Sequence, residues 1–285
     1  MNTKKTIGID LGGTHIRGGL VTENNLSSIF TQRINPQGSV EEVVEELFAL
    51  ADRLVNRSVQ AIGIGVPGLV DTEHGIVYDV VNIPSWKQVS LGQLLQDRYK
   101  LPVYINNDAN CFALGEFYFG KGRGYNSMIG LTVGTGLGSG IVLNKKLYAG
   151  KYGGAGEFGM IDYLDRYYEY YASGQFFKNV YQTDGEIVFK KAKDGDEMAI
   201  KMYEEMGTHL GNAIKTILYA LDVELIILGG SVRHAFPYFS KTMWQQIQTF
   251  VFQRAVENLK IEISELENSG ILGAAVLHYD LQREN

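Results

Sequence analysis

The sequence predicts an α/β protein of two related domains. Three observations predict it. The chain has 285 residues, long for one core. Short β-rich apolar runs alternate with segments of helical periodicity. An apolar and glycine pattern at Ile7-Gly8-Ile9-Asp10-Leu11-Gly12-Gly13 recurs at Ile129-Gly130-Leu131-Thr132-Val133-Gly134-Thr135, each inside a strand–turn–strand segment, as if each opened one domain.

Taken in order, "KKTIGIDLGGTHIRGGLV" reads as strand, glycine turn, strand, and "SSIFTQRI" as a third strand. Val40, Val43, Val44, Leu47, Phe48, Ala51 and Leu54 fall at helical spacing, with Ser39 and Glu42 forming a capping box. "VQAIGIGVPGLVD" and "LPVYINNDAN" are buried strands, the second leading into a short helix from Ala109. "MIGLTVGTGLGSGIVLNKKLY" is a second strand, glycine turn and strand. Residues Asp196 to Leu221 form a long helix, and "VELIILGGSV" is a buried strand ending in two glycines. The expected division is a small domain over 1–117, completed by a C-terminal helix over 270–285, and a larger one over 118–269.

Composition excludes several classes. Net charge is −6 without a block of lysine or arginine, which argues against nucleic acid or anionic membrane as partners. Cys111 is the one cysteine, too few for a disulfide framework or a cysteine-built zinc site. Strand character begins within the first ten residues and no apolar run has membrane-spanning length, so the expected location is the cytoplasm. Two motif matches fail on context. Gly63-x-Gly65-x-x-Gly68 is followed by extended segments rather than a helix. Gly115 to Lys121 nearly spells a phosphate-binding loop, but Gly122 stands where a Ser or Thr is needed.

The residues that carry chemistry cluster at strand ends. Asp10 ends a strand before Gly12, Gly13 and Thr14, where a carboxylate can hold Mg²⁺ and the turn can face phosphate; a turn-forming aspartate is the plain alternative. Gly134, Thr135 and Gly136 offer a second phosphate turn, and Gly229 with Gly230 would let a purine lie against bare backbone. Asn106-Asn107-Asp108 closes another strand. Phosphoryl transfer to an alcohol needs a carboxylate to accept the proton and amides to orient hydroxyls, and Asp108 can at the same time cap the helix that follows. Glu157 stands alone in a glycine-rich loop before an acidic, tyrosine-rich segment, which on residues alone reads as a surface loop followed by a helix with an aromatic packing face.

The segments "IGIDLGGTHIRGGLV", "IGIGVPGLVD", "VNIPSW", "INNDANCFALGE", "LTVGTGLGSGIV", "GGAGEFG" and "LIILGGSV", with "ILGAAVL" near the end, resemble in content and order the ROK family of sugar kinases, repressors and related proteins. The resemblance implies an actin-like, hexokinase-like ATPase fold of ribonuclease H type, its two α/β domains closing on ATP and a sugar. It implies Asp108 as catalytic base and Asn107 on the sugar, beside the Pro67–Gly68 loop. Asp10, Gly12, Gly13 and Thr14 map to the first phosphate turn, with Asp10 toward Mg²⁺. Gly134, Thr135 and Gly136 map to the second phosphate turn, and Gly229 and Gly230 to the adenosine turn. Glu157 maps to a sugar-binding glutamate.

The chain departs from the family after Glu157. Met160 occupies the place of a usual zinc-binding histidine, and the cysteine loop that completes the site is missing. "YYEYYASG" then aligns Glu169 with the second sugar-binding glutamate. The expectation is an ATP- and Mg²⁺-dependent kinase of a hexose or N-acylhexosamine, glucokinase-like, phosphorylating the 6-hydroxyl without zinc. The alternatives are a sugar-responsive ROK regulator, which would carry a DNA-binding domain ahead of this core, and a non-catalytic sugar sensor. A homodimer is compatible with the resemblance, which leaves oligomeric state and the sugar's identity open.

Overall fold

The computed structural model describes residues 5–22 and 25–282; the expected helix end at 283–285 lies outside the described residues. Along the chain, β1 (Lys5–Leu11), β2 (His15–Thr22) and β3 (Asn25–Arg33) form an antiparallel meander. α1 (Val40–Ala51) follows, its capping box formed as the sequence implies, with the Ser39 hydroxyl accepting from Glu42 N at 3.2 Å and Ser39 N donating back to the Glu42 carboxylate at 2.8 Å. β4 (Val59–Val66) runs parallel to β1. β5 (Leu69–Asp71), β6 (Ile76–Tyr78) and β7 (Gln88–Val89) form a small antiparallel sheet. α2 (Leu91–Tyr99), β8 (Val103–Asn107) and α3 (Asp108–Phe119) come next, with β8 parallel to β4.

The second half begins with β9 (Met128–Val133), β10 (Leu137–Leu143) and β11 (Lys146–Leu147). β12 (Asp162–Tyr163) and β13 (Arg166–Tyr167) pair as a small hairpin. The helices α4 (Tyr168–Ala172), α5 (Gln175–Tyr181), α6 (Gly185–Lys193) and the long α7 (Glu197–Leu221) follow. After them come β14 (Leu225–Gly229), α8 (Phe236–Ile247), α9 (Gln253–Asn258), β15 (Lys260–Ile263) and α10 (Ser269–Gln282). The two five-stranded sheets repeat one pattern, β3-β2-β1-β4-β8 and β11-β10-β9-β14-β15. That correspondence is the structural counterpart of the repeated glycine hairpin.

The chain clusters into two compact units. The first takes in residues up to 126, 140–155 and from 265 onward; the second takes in 127–139 and 156–264. The boundary therefore differs from the sequence division, which gave 118–269 to one domain. The far half of β10 pairs with β11, and the Leu147 amide donates to Asp280 on α10 at 3.2 Å, which ties 140–155 to the first unit.

In the first unit Ile7 and Ile9 of β1, Ile62 and Ile64 of β4, and Val43 and Leu47 of α1 are fully buried in one core. Gly8 and Gly63 stand opposite each other in register on β1 and β4. A Cβ on Gly8 would collide with the Ile271 carbonyl of α10, and one on Gly63 with that of Ala274. Gly63 thus admits a helix backbone to the sheet, which is the physical reason a glycine stands in the rejected dinucleotide pattern. The rejected phosphate loop is likewise structural. Residues 115–119 lie within α3, and buried Glu116 accepts from the Lys121 amide at 3.2 Å. In the second unit β9, β14 and β15 run parallel. α7 starts on an Asp196 side chain accepting from Ala199 N at 2.8 Å and buries Tyr203, Met206, Leu210, Ile214 and Ile217. No helix among the described residues is long and apolar enough to cross a membrane.

Candidate active site

The first unit holds Asp10, Gly12, Gly13, Thr14, Pro67, Gly68, Asn107 and Asp108. Asp10 lies next to the end of β1, opposite Arg17 on β2. Burial raises its carboxyl above the usual range, against the pull of the Arg17 guanidinium. Beyond it the Gly12 amide donates to the His15 carbonyl at 2.9 Å, closing the turn. A Cβ on Gly13 would come within 2.8 Å of Asn82 Cβ, and Thr14 stays exposed.

The Asn106-Asn107-Asp108 run is a small hydrogen-bonded frame. Buried Asn106 accepts from Asn107 N and Asn110 Nδ2, each at 2.8 Å. Asn107, not Asp108, is the N-cap of α3, its Oδ1 accepting from Ala109 N at 2.8 Å. This corrects the sequence reading of Asp108 as the cap: Asp108 is the first helical residue, exposed, with Oδ1 also within 2.8 Å of Ala109 N. Asn107 Nδ2 donates to the Gly68 carbonyl at 3.1 Å, which ties the Pro67–Gly68 loop to the frame. Gly68 has φ +101°, a conformation glycine adopts at little cost. Beneath these groups Cys111 is fully buried, and burial pushes its thiol well up, with the charges of Asp10 and Asp108 adding to the effect. The thiol is therefore inert near neutral pH, and both carboxylates act on it.

The second unit holds Gly134, Thr135, Gly136, Glu157, Glu169, Gly229 and Gly230. The β9–β10 turn is closed by Gly134 N donating to the Gly136 carbonyl at 3.0 Å. The segment after α4 grips this turn. Gly174 N donates to the Gly134 carbonyl at 2.7 Å, and the Ser173 hydroxyl to the Thr135 carbonyl at 3.0 Å. Glu169 accepts from Leu137 N at 2.9 Å and from Gln175 Nε2 at 3.2 Å. Glu157 precedes a short 3-10 turn at Phe158–Met160. Glu157 is exposed as a residue, yet enough protein surrounds its carboxyl that desolvation, with the Glu169 charge second, raises it above the usual glutamate range.

A cavity of about 1020 Å³ opens beside the Gly134–Thr135 turn, within the second unit. Gly174, Ser231 and Val232 line it with the aromatic rings of Phe177, Phe189 and Tyr203. The residues expected as the adenosine turn contribute unequally. Gly229 is buried inside β14, paired with Thr132. Gly230 makes the bend at φ +77°, where any Cβ would strike the Val133 carbonyl, and the next residues form the wall. The aromatic lining escaped sequence reasoning, because Phe177, Phe189 and Tyr203 sit at helical positions that look like ordinary core. Among the described residues no three His, Cys, Asp or Glu side chains are grouped to hold a metal ion.

Residues 6–280 match the ROK family. The chain is 29% identical over 307 residues to a glucokinase of Thermotoga maritima, covering 95% of this chain and 96% of that one. It is also 29% identical over 304 residues to a xylose repressor of Caldicellulosiruptor bescii, covering 93% of this chain and 75% of the repressor. Among solved structures, a ROK family glucokinase from Streptomyces griseus in complex with glucose and AMPPNP superposes with a TM-score of 0.81 at 28% identity, covering 96% of this chain and 98% of that one. The fold is thus the two-domain, actin-like ATPase fold that the sequence implied.

Proposed function

Because the chain belongs to the ROK family, we propose that it is an ATP-dependent sugar kinase, transferring the γ-phosphate to the 6-hydroxyl of a hexose or N-acylhexosamine. The observation that carries this reading is the frame around Asp108: an exposed carboxylate at the first turn of α3, beside an Asn107 fixed by its bonds to Gly68 and Ala109. A carboxylate so held accepts the proton of the attacking hydroxyl. Asn107 and the Pro67–Gly68 loop orient the neighbouring hydroxyls. Glu157 and Glu169 accept hydrogen bonds from others, and hydroxyl donors there relieve the repulsion between the two charges.

The cavity beside Gly134–Thr135 has the size and aromatic lining for a purine nucleotide, with Gly134, Thr135 and Gly136 toward its phosphates. Gly12, Gly13 and Thr14 form the first phosphate turn. The Asp10 carboxylate has no hydrogen bond among the described residues and is partly desolvated, which suits it, with Thr14, to Mg²⁺. When bound, that ion neutralises charge on the transferring phosphate.

A coupled ADP-release assay across glucose, mannose, fructose, allose, N-acetylglucosamine and N-acetylmannosamine tests the proposal. Sugar-dependent ADP formation is the expected result, and its absence with every sugar would overturn it. The likeness to a xylose repressor supports a second reading, a sugar-binding regulator, for which calorimetry would find sugar binding without ADP formation. The acidic chain and the intact Asp108 frame favour the kinase.

A further inference from the structure

We propose that Tyr163 and Tyr168 are positioning residues for both substrates, acting through α4 on Glu169 and on the Gly134–Leu137 turn. The proposal rests on the sugar-kinase reading for what those groups bind, and on geometry within the second unit for everything else.

α4 is five residues long and has no side-chain cap at its N-terminus, too short to be stable alone. Two sets of contacts hold it. On one side Glu169, Ser173 and Gly174 bond to Leu137 N, the Thr135 carbonyl and the Gly134 carbonyl. A shift of α4 therefore moves the proposed sugar carboxylate and the phosphate turn together.

On the other side the tyrosines anchor α4 to α7. The Tyr168 hydroxyl lies 2.8 Å from Thr216 Oγ1. Thr216 Oγ1 also lies within hydrogen-bond reach of the Asn212 carbonyl, at 3.3 Å. Tyr163 stacks on Tyr168 with ring centroids 4.3 Å apart and planes 19° apart. Its hydroxyl accepts from Asn212 Nδ2 at 3.1 Å and lies at the same distance, 3.1 Å, from His209 Nδ1. Burial lowers the His209 pKa, which favours a neutral ring at this contact.

His209, Asn212 and Thr216 occupy one face of α7 by their spacing. Simple aromatic packing would need rings but no hydroxyl partners. Here both hydroxyls are bonded to the same helix, and Tyr168 is the residue next to Glu169.

The test is steady-state kinetics and thermal melting of Tyr168→Phe, Tyr163→Phe, Thr216→Val and the double variant Tyr168→Phe/Thr216→Val. Losing one such bond should raise the KM for sugar and for ATP together, by about three- to tenfold, with a smaller change in kcat. The double variant should be no worse than either single one, because both remove the same bond. Thr216→Ser keeps the hydroxyl and should restore both constants. Tyr181→Phe loses a comparable hydroxyl bond, to Glu205 at 2.5 Å, and should change neither KM.

A lower melting temperature with both constants unchanged in Tyr168→Phe would overturn the proposal. So would an equal rise in Tyr181→Phe. Binding of a non-hydrolysable ATP analogue, read by calorimetry, separates this idea from the functional reading. Tyr168→Phe should weaken it even if no sugar is phosphorylated, and unchanged analogue affinity would sink the positioning role alone.

Discussion

The Leu137 amide donates to the Glu169 carboxylate at 2.9 Å, across a site where Gly136 leaves room. A Cβ on Gly136 would come within 2.5 Å of the same carboxylate oxygen. Glu169 therefore braces the Gly134–Leu137 turn as well as facing the sugar in the proposed reaction. Glu169→Ala is expected to raise the KM of both substrates, each by the equivalent of about 1–3 kcal/mol for an orphaned partner. Initial-rate kinetics with each substrate varied in turn checks this. A rise confined to the sugar would assign the carboxylate to the sugar alone.

Glu157 leads to a pH prediction. Its raised pKa means the folded state holds the proton more tightly than the unfolded state does. Its charge therefore lowers stability as pH rises through the folded pKa, and the penalty vanishes below the ordinary glutamate range of about 4.3. Glu157→Gln should melt higher than the parent at neutral pH and equally near pH ~4, while its sugar KM rises. In the parent, sugar affinity should fall with acidification at a pH above that ordinary range. Scanning calorimetry across pH measures the first effect, and a lower neutral-pH melting temperature in the variant would contradict it.

Asp108→Asn preserves size and the bond to Ala109 N while removing the proton acceptor. The expected loss is roughly 10²–10⁴-fold in kcat, with sugar binding and melting temperature close to the parent. Turnover above about a tenth of the parent value would remove Asp108 from the role of base.

Asp10→Ala should abolish most turnover and leave sugar affinity by calorimetry nearly intact, because the carboxylate is assigned to the metal–phosphate end of the reaction. The variant should also melt higher without nucleotide, since it deletes a partly desolvated charge. Full activity of the parent in excess EDTA would refute the metal assignment.

Stoichiometric zinc is not expected in the purified protein. Cys111 is buried beneath the Asp108 frame and Met160 occupies the place of a family histidine, so a cysteine–histidine site has too few ligands. Elemental analysis should find no zinc, and a zinc-selective chelator should leave the melting temperature unchanged; bound zinc at one per chain would be contrary.

Much of this protein was legible in the sequence because its signals are local. The capping box at Ser39 and Glu42, the turns at Gly12–Gly13 and Gly134–Gly136, and the long helix begun at Asp196 each depend on residues within a few positions of one another. Asp10 and Asp108 were singled out by their places at strand ends, whereas the role expected of Glu157 came from the resemblance of its motif. The cap of α3 was misassigned by one residue, since either Asn107 or Asp108 could accept from Ala109 N and only the backbone path decides between them.

The sequence alone determined the α/β class, the strand-end carboxylates and the glycine turns, for their geometry follows from short-range stereochemistry, while the fold family was read from the resemblance of its motifs. Tertiary structure decided what lies far apart in the chain: that Gly8 and Gly63 admit α10 to the sheet, that residues 140–155 return to the first unit, and that Tyr163 and Tyr168 bond to His209, Asn212 and Thr216. A tyrosine in a sequence shows an apolar ring and a hydroxyl but not the partner of either. Only packing places a helix face where both are satisfied, and that packing holds α4, with Glu169, against the Gly134–Leu137 turn.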